Sequence, residues 1–236
     1  MRLRPSSWLA PAEVPSLSRA EVHVWRANLH LDTPRVEALE NILSPEERYR
    51  AERFRFEVDR LRYKTAHGLL REILARYLDV LPASLTFVQG AHGKPSLTAY
   101  EGRRTLRFNL SHSENMALIA VAIDREVGVD VESVRRHVEA VEIARRFFSA
   151  EEAAALAELQ SGRRNRAFFE LWTRKEAVLK AIGMGIAAGS SALQQAGGKH
   201  PDFLQWRVRS LEPAPGYLGA VAAEGWDWLM RCWTAP

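Results

Sequence analysis

The chain has 236 residues, of which 47% are apolar and 26% charged. This is an ordinary globular composition, which excludes a fibrous or disordered protein and at this length suits one large domain or two small ones. Lys+Arg 33 against Asp+Glu 29 gives a net charge of +4 and a pI near 9.4, an arginine-rich surface suited to an anionic partner rather than a polybasic tail. The single cysteine, Cys232, permits no internal disulfide, and without Cys/His ligand spacing structural zinc is not expected; a reducing, cytoplasmic setting fits best.

Met1 to Trp8 is basic but runs into Pro11, Glu13, Pro15 and Arg19, so it does not read as a signal peptide, and residues 1–20 read as an extended arm. The longest apolar run, Met116 to Ile123, is far short of the roughly 20 residues that span a bilayer. Val22, Val24 and Leu29 open a strand-like stretch. Ser44-Pro45-Glu46-Glu47 is a capping box with proline at the first helical position, and an amphipathic helix is expected over about 59–78. Thr86–Val88 and Phe108–Leu110 read as short strands around a turn at His92-Gly93-Lys94-Pro95, and Met116–Ile123 as a buried strand.

The order then recurs. Val127–Val131 reads as a strand, Ser149-Ala150-Glu151-Glu152 as a second capping box, and 163–182 as a long helix, followed by strand-like Phe203–Leu211, Tyr217–Ala223 and Trp228–Trp233. Ser44 and Ser149 are 105 positions apart, as are Val22 and Val127. The spacing predicts an α/β fold of two similar halves, 1–124 and 125–236, each with a small sheet and a long packed helix, and a ligand crevice between them.

Four motifs carry possible chemistry. In Gly128-Val129-Asp130-Val131-Glu132, a period-two strand projects Asp130 and Glu132 together, about 7 Å apart; this is either a solvated acidic face or a site for a hard divalent cation. Trp172, Glu176 and Lys180 share one face of the last long helix, where Glu176 and Lys180 could equally form a surface ion pair. Lys94 on its turn could be solvated or could hold a phosphate as a point charge. Asn109-Leu110-Ser111-His112-Ser113 is a polar cluster before a buried strand; adjacent Ser and His make no triad, and there is no G-x-S-x-G elbow.

In order and context these motifs, with Leu43–Glu46 and Arg146-Phe147-Phe148-Ser149, resemble the Sfp-type 4′-phosphopantetheinyl transferases from about Leu43 to Gly185. That family moves the phosphopantetheine arm of coenzyme A onto a serine of a carrier protein. The resemblance implies a pseudo-twofold pair of α/β halves with the active site between them, and Asp130, Glu132 and Glu176 around Mg²⁺, with Glu176 also the base for the incoming serine. It implies Lys180 against the pyrophosphate, Lys94, Ser111, His112 and Lys175 among the coenzyme A contacts, and Arg50 and Arg62 in the region that adds basic ones. Glu47 stands where some members carry a basic residue.

The implied carrier is acidic, and Arg135, Arg136, Arg145, Arg146, Arg163, Arg164 and Arg166 could steer it or could simply be a solvated helix face. The length points to the monomeric branch rather than the short trimeric synthases. A nucleic-acid module would interleave aromatics with a basic stripe, whereas Phe54, Phe56, Phe147 and Phe148 read as core. A catalytically idle relative is opposed by the intact Asp130, Glu132, Glu176 and Lys180. The expected partners are therefore coenzyme A and a carrier protein, with neither nucleic acid nor membrane.

Overall fold

In the computed structural model, which describes residues 8–11, 13, 15–90, 93–98, 105–135, 138–184 and 205–236, two antiparallel three-strand units share one topology. In the first, β5 (Met116–Ile123) pairs with β1 (Glu21–Asn28) on one side and β4 (Leu106–Ser113) on the other. In the second, β8 (Tyr217–Glu224) lies between β6 (Val127–Ser133) and β7 (Trp206–Leu211). After its first strand each half runs through a short helix, a helix opened by a capping box and a helix of 22 residues: α1 (Thr33–Asn41), α2 (Pro45–Glu52) and α3 (Glu57–Leu78), then α4 (Ala140–Phe147), α5 (Ala150–Glu158) and α6 (Ser161–Ile182). Ser44 and Ser149 both complete the reciprocal box, with Glu47 and Glu152 returning to the cap amides. The two similar α/β halves predicted by the sequence offset are present.

The alternation of side chains along the strands stacks four layers. Val22 and Val24 of β1 and Leu118, Ala120 and Ala122 of β5 face the second sheet, where they meet Val127, Val129, Val131, Val221 and Ala223, all essentially inaccessible to solvent. The opposite face of the first sheet, with Trp25, Ile119 and Val121, packs on Leu70, Ile73 and Leu74 of α3. The outer face of the second sheet, with Ala220 and Ala222, packs on Ala177, Val178 and Ala181 of α6. The order is α3, sheet, sheet, α6, and one apolar core joins the halves. At roughly 1.5–3 kcal/mol for each fully buried large aliphatic side chain, that shared core disfavours their separation.

The ends of the chain cross this division. β9 (Leu229–Thr234) adds parallel to the free edge of β1, and Leu9 bridges to Trp233 beyond it. Among the described residues the first sheet is thus completed by the last strand.

Several expectations are corrected. β2 (Phe87–Gln89) pairs not toward Phe108 but with β3 (Pro95–Leu97), forming a separate hairpin, and β4 is a full eight-residue strand of the main sheet. Phe56 is not core: it caps the start of α3 on the surface, 59% exposed, with Arg55 over its ring. Leu61 is also exposed, because the apolar stripe of α3 begins a turn later. His92, Phe203 and Arg136 lie outside the described residues, as do residues 1–7 of the arm. No helix among the described residues is long and apolar enough to cross a membrane.

Candidate active site

The site is built where β4, the edge of the first sheet, runs beside β6, the edge of the second, under α6. Gly128 makes this possible. A Cβ there would fall on the carbonyl oxygen of Ala177 and the amide nitrogen of Ala181, and 2.9 Å from Ala181 Cα, so only glycine lets β6 lie this close to α6. The next residue on this helix-facing side of β6, Asp130, is thereby carried under the helix turn that bears Glu176 and Lys180.

Lys180 Nζ is 2.6 Å from Asp130 Oδ1 and 2.9 Å from Ser111 Oγ, and Ser111 in turn donates to Asp130 Oδ1 at 2.9 Å. Glu176 is buried beside them. Burial, then the nearby Asp130 and Glu132 charges, push its pKa up to about 7 against the opposing pull of Lys180. Glu132 Oε2 accepts from Ser113 Oγ at 2.8 Å. Asp130 is buried and Glu132 half-buried, so this face of β6 is not a fully solvated one, and Lys180 pairs across the cleft with Asp130 rather than along its own helix.

The geometry bears on whether these groups could hold a cation. Asp130 Oδ2 and Glu176 Oε1 are buried without a hydrogen-bond partner. Buried anionic oxygens left in that state are costly, and a divalent ion between them would satisfy both. As arranged here, with Lys180 on Asp130, no three acidic, His or Cys side chains among the described residues converge in ligand geometry. The donor set is all oxygen, which suits a hard cation such as Mg²⁺.

The basic residues named from sequence fall around three cavities. Arg62, hydrogen bonded to Asn115 Oδ1 (3.0 and 3.1 Å), lines a 310 Å³ cavity with His112, Ser113 and Glu132. Desolvation, then the charges of His67, Lys180 and Arg62, hold the His112 pKa below its ordinary value. Arg50 lines a larger cavity of 660 Å³ with Arg48, His67, Arg71 and Gly93. Lys94 lines a third, of 280 Å³, with Arg107; its Nζ is 2.7 Å from Glu126 and 2.8 Å from the Ala181 carbonyl, where a cation also suits the C-terminal end of α6. Glu47 completes the α2 cap and binds Arg71 at 2.7 Å, and although burial opposes ionisation, donation from His67, the Ser44 amide and Arg71 brings its pKa down to about 2.

Lys175 lies apart from these groups. It is buried, its Nζ 2.9 Å from Glu152 of the second capping box and over the ring of Phe148. One residue from Glu176 is about 100° of helix turn, which aims it at α5 instead of the cleft. Lys175→Met is expected to destabilise the protein by about 1–3 kcal/mol, since Glu152 keeps some solvent. Denaturant unfolding reads the change; unaltered stability contradicts the placement.

The arginines of the second half divide as well. Arg164 donates to the carbonyls of Leu156, Ala157 and Leu159 at the end of α5, and Arg166 pairs with Glu212 at 2.9 Å. Arg145 and Arg163 are exposed, and Arg146 lies over Phe147. Sequence reasoning did not single out Arg48, His67, Arg71 or Arg107, nor a role for Asn109 and Ser113. For the last two the signal was available in Asn109-x-Ser111-x-Ser113, a polar alternation that puts all three on one face of a strand.

Comparison with known proteins agrees with this architecture. Residues 32–124 match the family model "4′-phosphopantetheinyl transferase, N-terminal", and residues 126–218 that of the 4′-phosphopantetheinyl transferase superfamily. The chain is 36% identical to the 4′-phosphopantetheinyl transferase HetI of Nostoc sp. over 96% of its own length and 98% of the relative's. It is 36% identical to a 4′-phosphopantetheinyl transferase of Bacillus pumilus over 66% and 65% of the two chains, and 28% identical to the 4′-phosphopantetheinyl transferase Sfp of Bacillus subtilis over 78% and 83%. Matched nearly end to end by one of these relatives and in both halves by the family models, the chain belongs to the 4′-phosphopantetheinyl transferase superfamily.

Proposed function

We propose that this chain moves the 4′-phosphopantetheine arm of coenzyme A onto a serine hydroxyl of an apo-carrier protein and releases 3′,5′-ADP, with Mg²⁺ as the metal. The observation that carries the reading is the buried Glu176, whose Oε1 faces no donor, set beside Asp130 and Lys180, with Arg62 and His112 lining one nearby cavity and Lys94 another.

The serine oxygen attacks the phosphorus that carries the pantetheine. The new P–O bond forms as the bond to the 3′,5′-ADP oxygen breaks, and the serine proton passes to a base. Glu176 fits that role by position, buried beside Asp130 and Lys180 with its Oε1 facing no donor. Asp130, Glu132 and Glu176 would hold Mg²⁺, which neutralises charge on the diphosphate when bound. Lys180, within reach of Asp130 now, supplies a mobile positive charge for the diphosphate and the departing nucleotide. Lys94, Ser111, His112, Arg50 and Arg62 are assigned to the nucleotide end.

A carrier with acidic flanks suits the exposed Arg145 and Arg163, two α/β halves in one chain suit a monomer, and a lone cysteine suits the cytoplasm. Intact mass spectrometry of apo-carrier proteins incubated with the enzyme, coenzyme A and Mg²⁺ tests the reading. A gain of one phosphopantetheine, lost when the target serine is alanine, is expected; unmodified carriers across acyl and peptidyl types overturn it.

A further inference from the structure

Among the described residues, β4 and β6 lie side by side without a shared backbone ladder. Side chains of β4 bridge the seam instead, in parallel register. Asn109 Oδ1 accepts the Val129 amide at 2.9 Å, Ser111 Oγ donates to Asp130 at 2.9 Å, and Ser113 Oγ donates to Glu132 Oε2 at 2.8 Å while accepting the Ser133 amide at 3.2 Å. Asn109, Ser113 and Ser133 are buried, with exposures of 6%, 6% and 0%.

If the seam only needed its backbone amides satisfied, an acceptor opposite Val129 and Ser133 would suffice. Ser113 does more. A hydroxyl has one proton and two lone pairs, and with the Ser133 amide fixed on its acceptor side the proton is left to point at Glu132. A glutamate has three side-chain torsions to order, and this bond commits one of its oxygens and hence its rotamer. Asn109, four residues earlier on the same face, sets how deep β6 sits by holding the amide beside Asp130.

We infer that Ser113, supported by Asn109, is a positioning residue that orients the Glu132 carboxylate toward the metal site. This rests on the reading that Asp130, Glu132 and Glu176 hold the cation. It gives the first half of the chain a part in ordering ligands that the second half supplies. Outer partners of metal ligands commonly change metal affinity by about 10–100-fold when removed.

The test uses Mn²⁺ as probe, its binding followed by loss of the free-ion EPR signal with neither coenzyme A nor carrier present, on the wild type, Ser113→Ala, Ser113→Thr and Glu132→Gln with and without Ser113→Ala. Ser113→Ala is expected to weaken Mn²⁺ binding about 10–100-fold and to speed hydrogen exchange at the Ser133 amide, and Ser113→Thr to recover most of the affinity. In the Glu132→Gln background the serine change should cost less than twofold. Unchanged Mn²⁺ affinity in Ser113→Ala overturns the inference, and so does an equal loss with and without Glu132, a comparison that holds even if the threonine variant misfolds. A wild type that takes up no Mn²⁺ overturns the metal reading and this inference together. A wild type that binds Mn²⁺ yet modifies no carrier removes the transfer reading alone.

Discussion

Glu176→Gln is expected to lower kcat for phosphopantetheine transfer by about 10²–10⁴-fold and, in the same protein freed of metal, to raise the thermal midpoint at pH 8. The first effect follows because the amide neither takes the serine proton nor supplies an anionic ligand. The second follows from the cost of ionising Glu176 where it sits. Burial and the Asp130 and Glu132 charges raise its folded pKa to about 7 from an ordinary 4.5, so between those values the folded protein holds a proton that the unfolded chain has released. Its contribution to stability is present below about pH 4.5 and is lost as the pH rises through 7. At pH 8 a neutral glutamine avoids that loss, on the order of 1–3 kcal/mol, at about 2–4 °C per kcal/mol for a chain of this size. Scanning calorimetry with a chelator at pH 5 and pH 8 checks it. The variant should gain on the wild type only at the higher pH, and a variant less stable at pH 8 contradicts the placement of Glu176 among like charges.

Gly128→Ala should cause a large loss of stability. The added carbon meets the Ala177 carbonyl and the Ala181 amide, both backbone atoms of the last turns of α6 that cannot rotate away. Overpacking typically costs about 1–3 kcal/mol where side chains can shift, and here at least about 3 kcal/mol is expected, because either β6 must leave the helix or the helix must bend. Moving β6 also separates Asp130 from Lys180, so the fraction that remains folded should transfer poorly. Urea unfolding with parallel activity measurement decides it: a midpoint within error of wild type, with normal transfer, would mean that β6 and α6 are not in this close contact.

These two residues also show how far the sequence carried the structure. The capping boxes at Ser44 and Ser149 and the apolar periodicity after them are local signals, and both 22-residue helices and the repeat of their order were legible from them. The repeat led directly to two similar sheets. What was not legible depends on contacts between distant segments. β9 joins the first sheet through pairing with β1, some 200 positions away, and nothing in Leu229–Thr234 announces which sheet edge is open. α1 and α4 are short helices whose starts lack a long apolar stripe.

Within the site the same division holds. Asp130, Glu176 and Lys180 were identified from spacing and resemblance, and the fold brings them together. Lys175 illustrates the limit of spacing: its neighbour in sequence points into the cleft, but helix rotation alone sends it to Glu152. Arg164 and Arg166 looked like free surface charge, yet one closes helix carbonyls and the other an ion pair, contacts that a charge count cannot distinguish from solvation. Gly128 appeared as part of an acidic motif, and its reason is steric.

The most direct test of the carboxylate cluster is a crystal structure with coenzyme A and Mn²⁺, with the metal located by anomalous scattering. One peak bounded by Asp130, Glu132 and Glu176, with Lys180 displaced from Asp130 toward the diphosphate, is the expected result. A peak held elsewhere, or none while Lys180 still occupies Asp130 with coenzyme A bound, contradicts a metal-assisted transfer at this site.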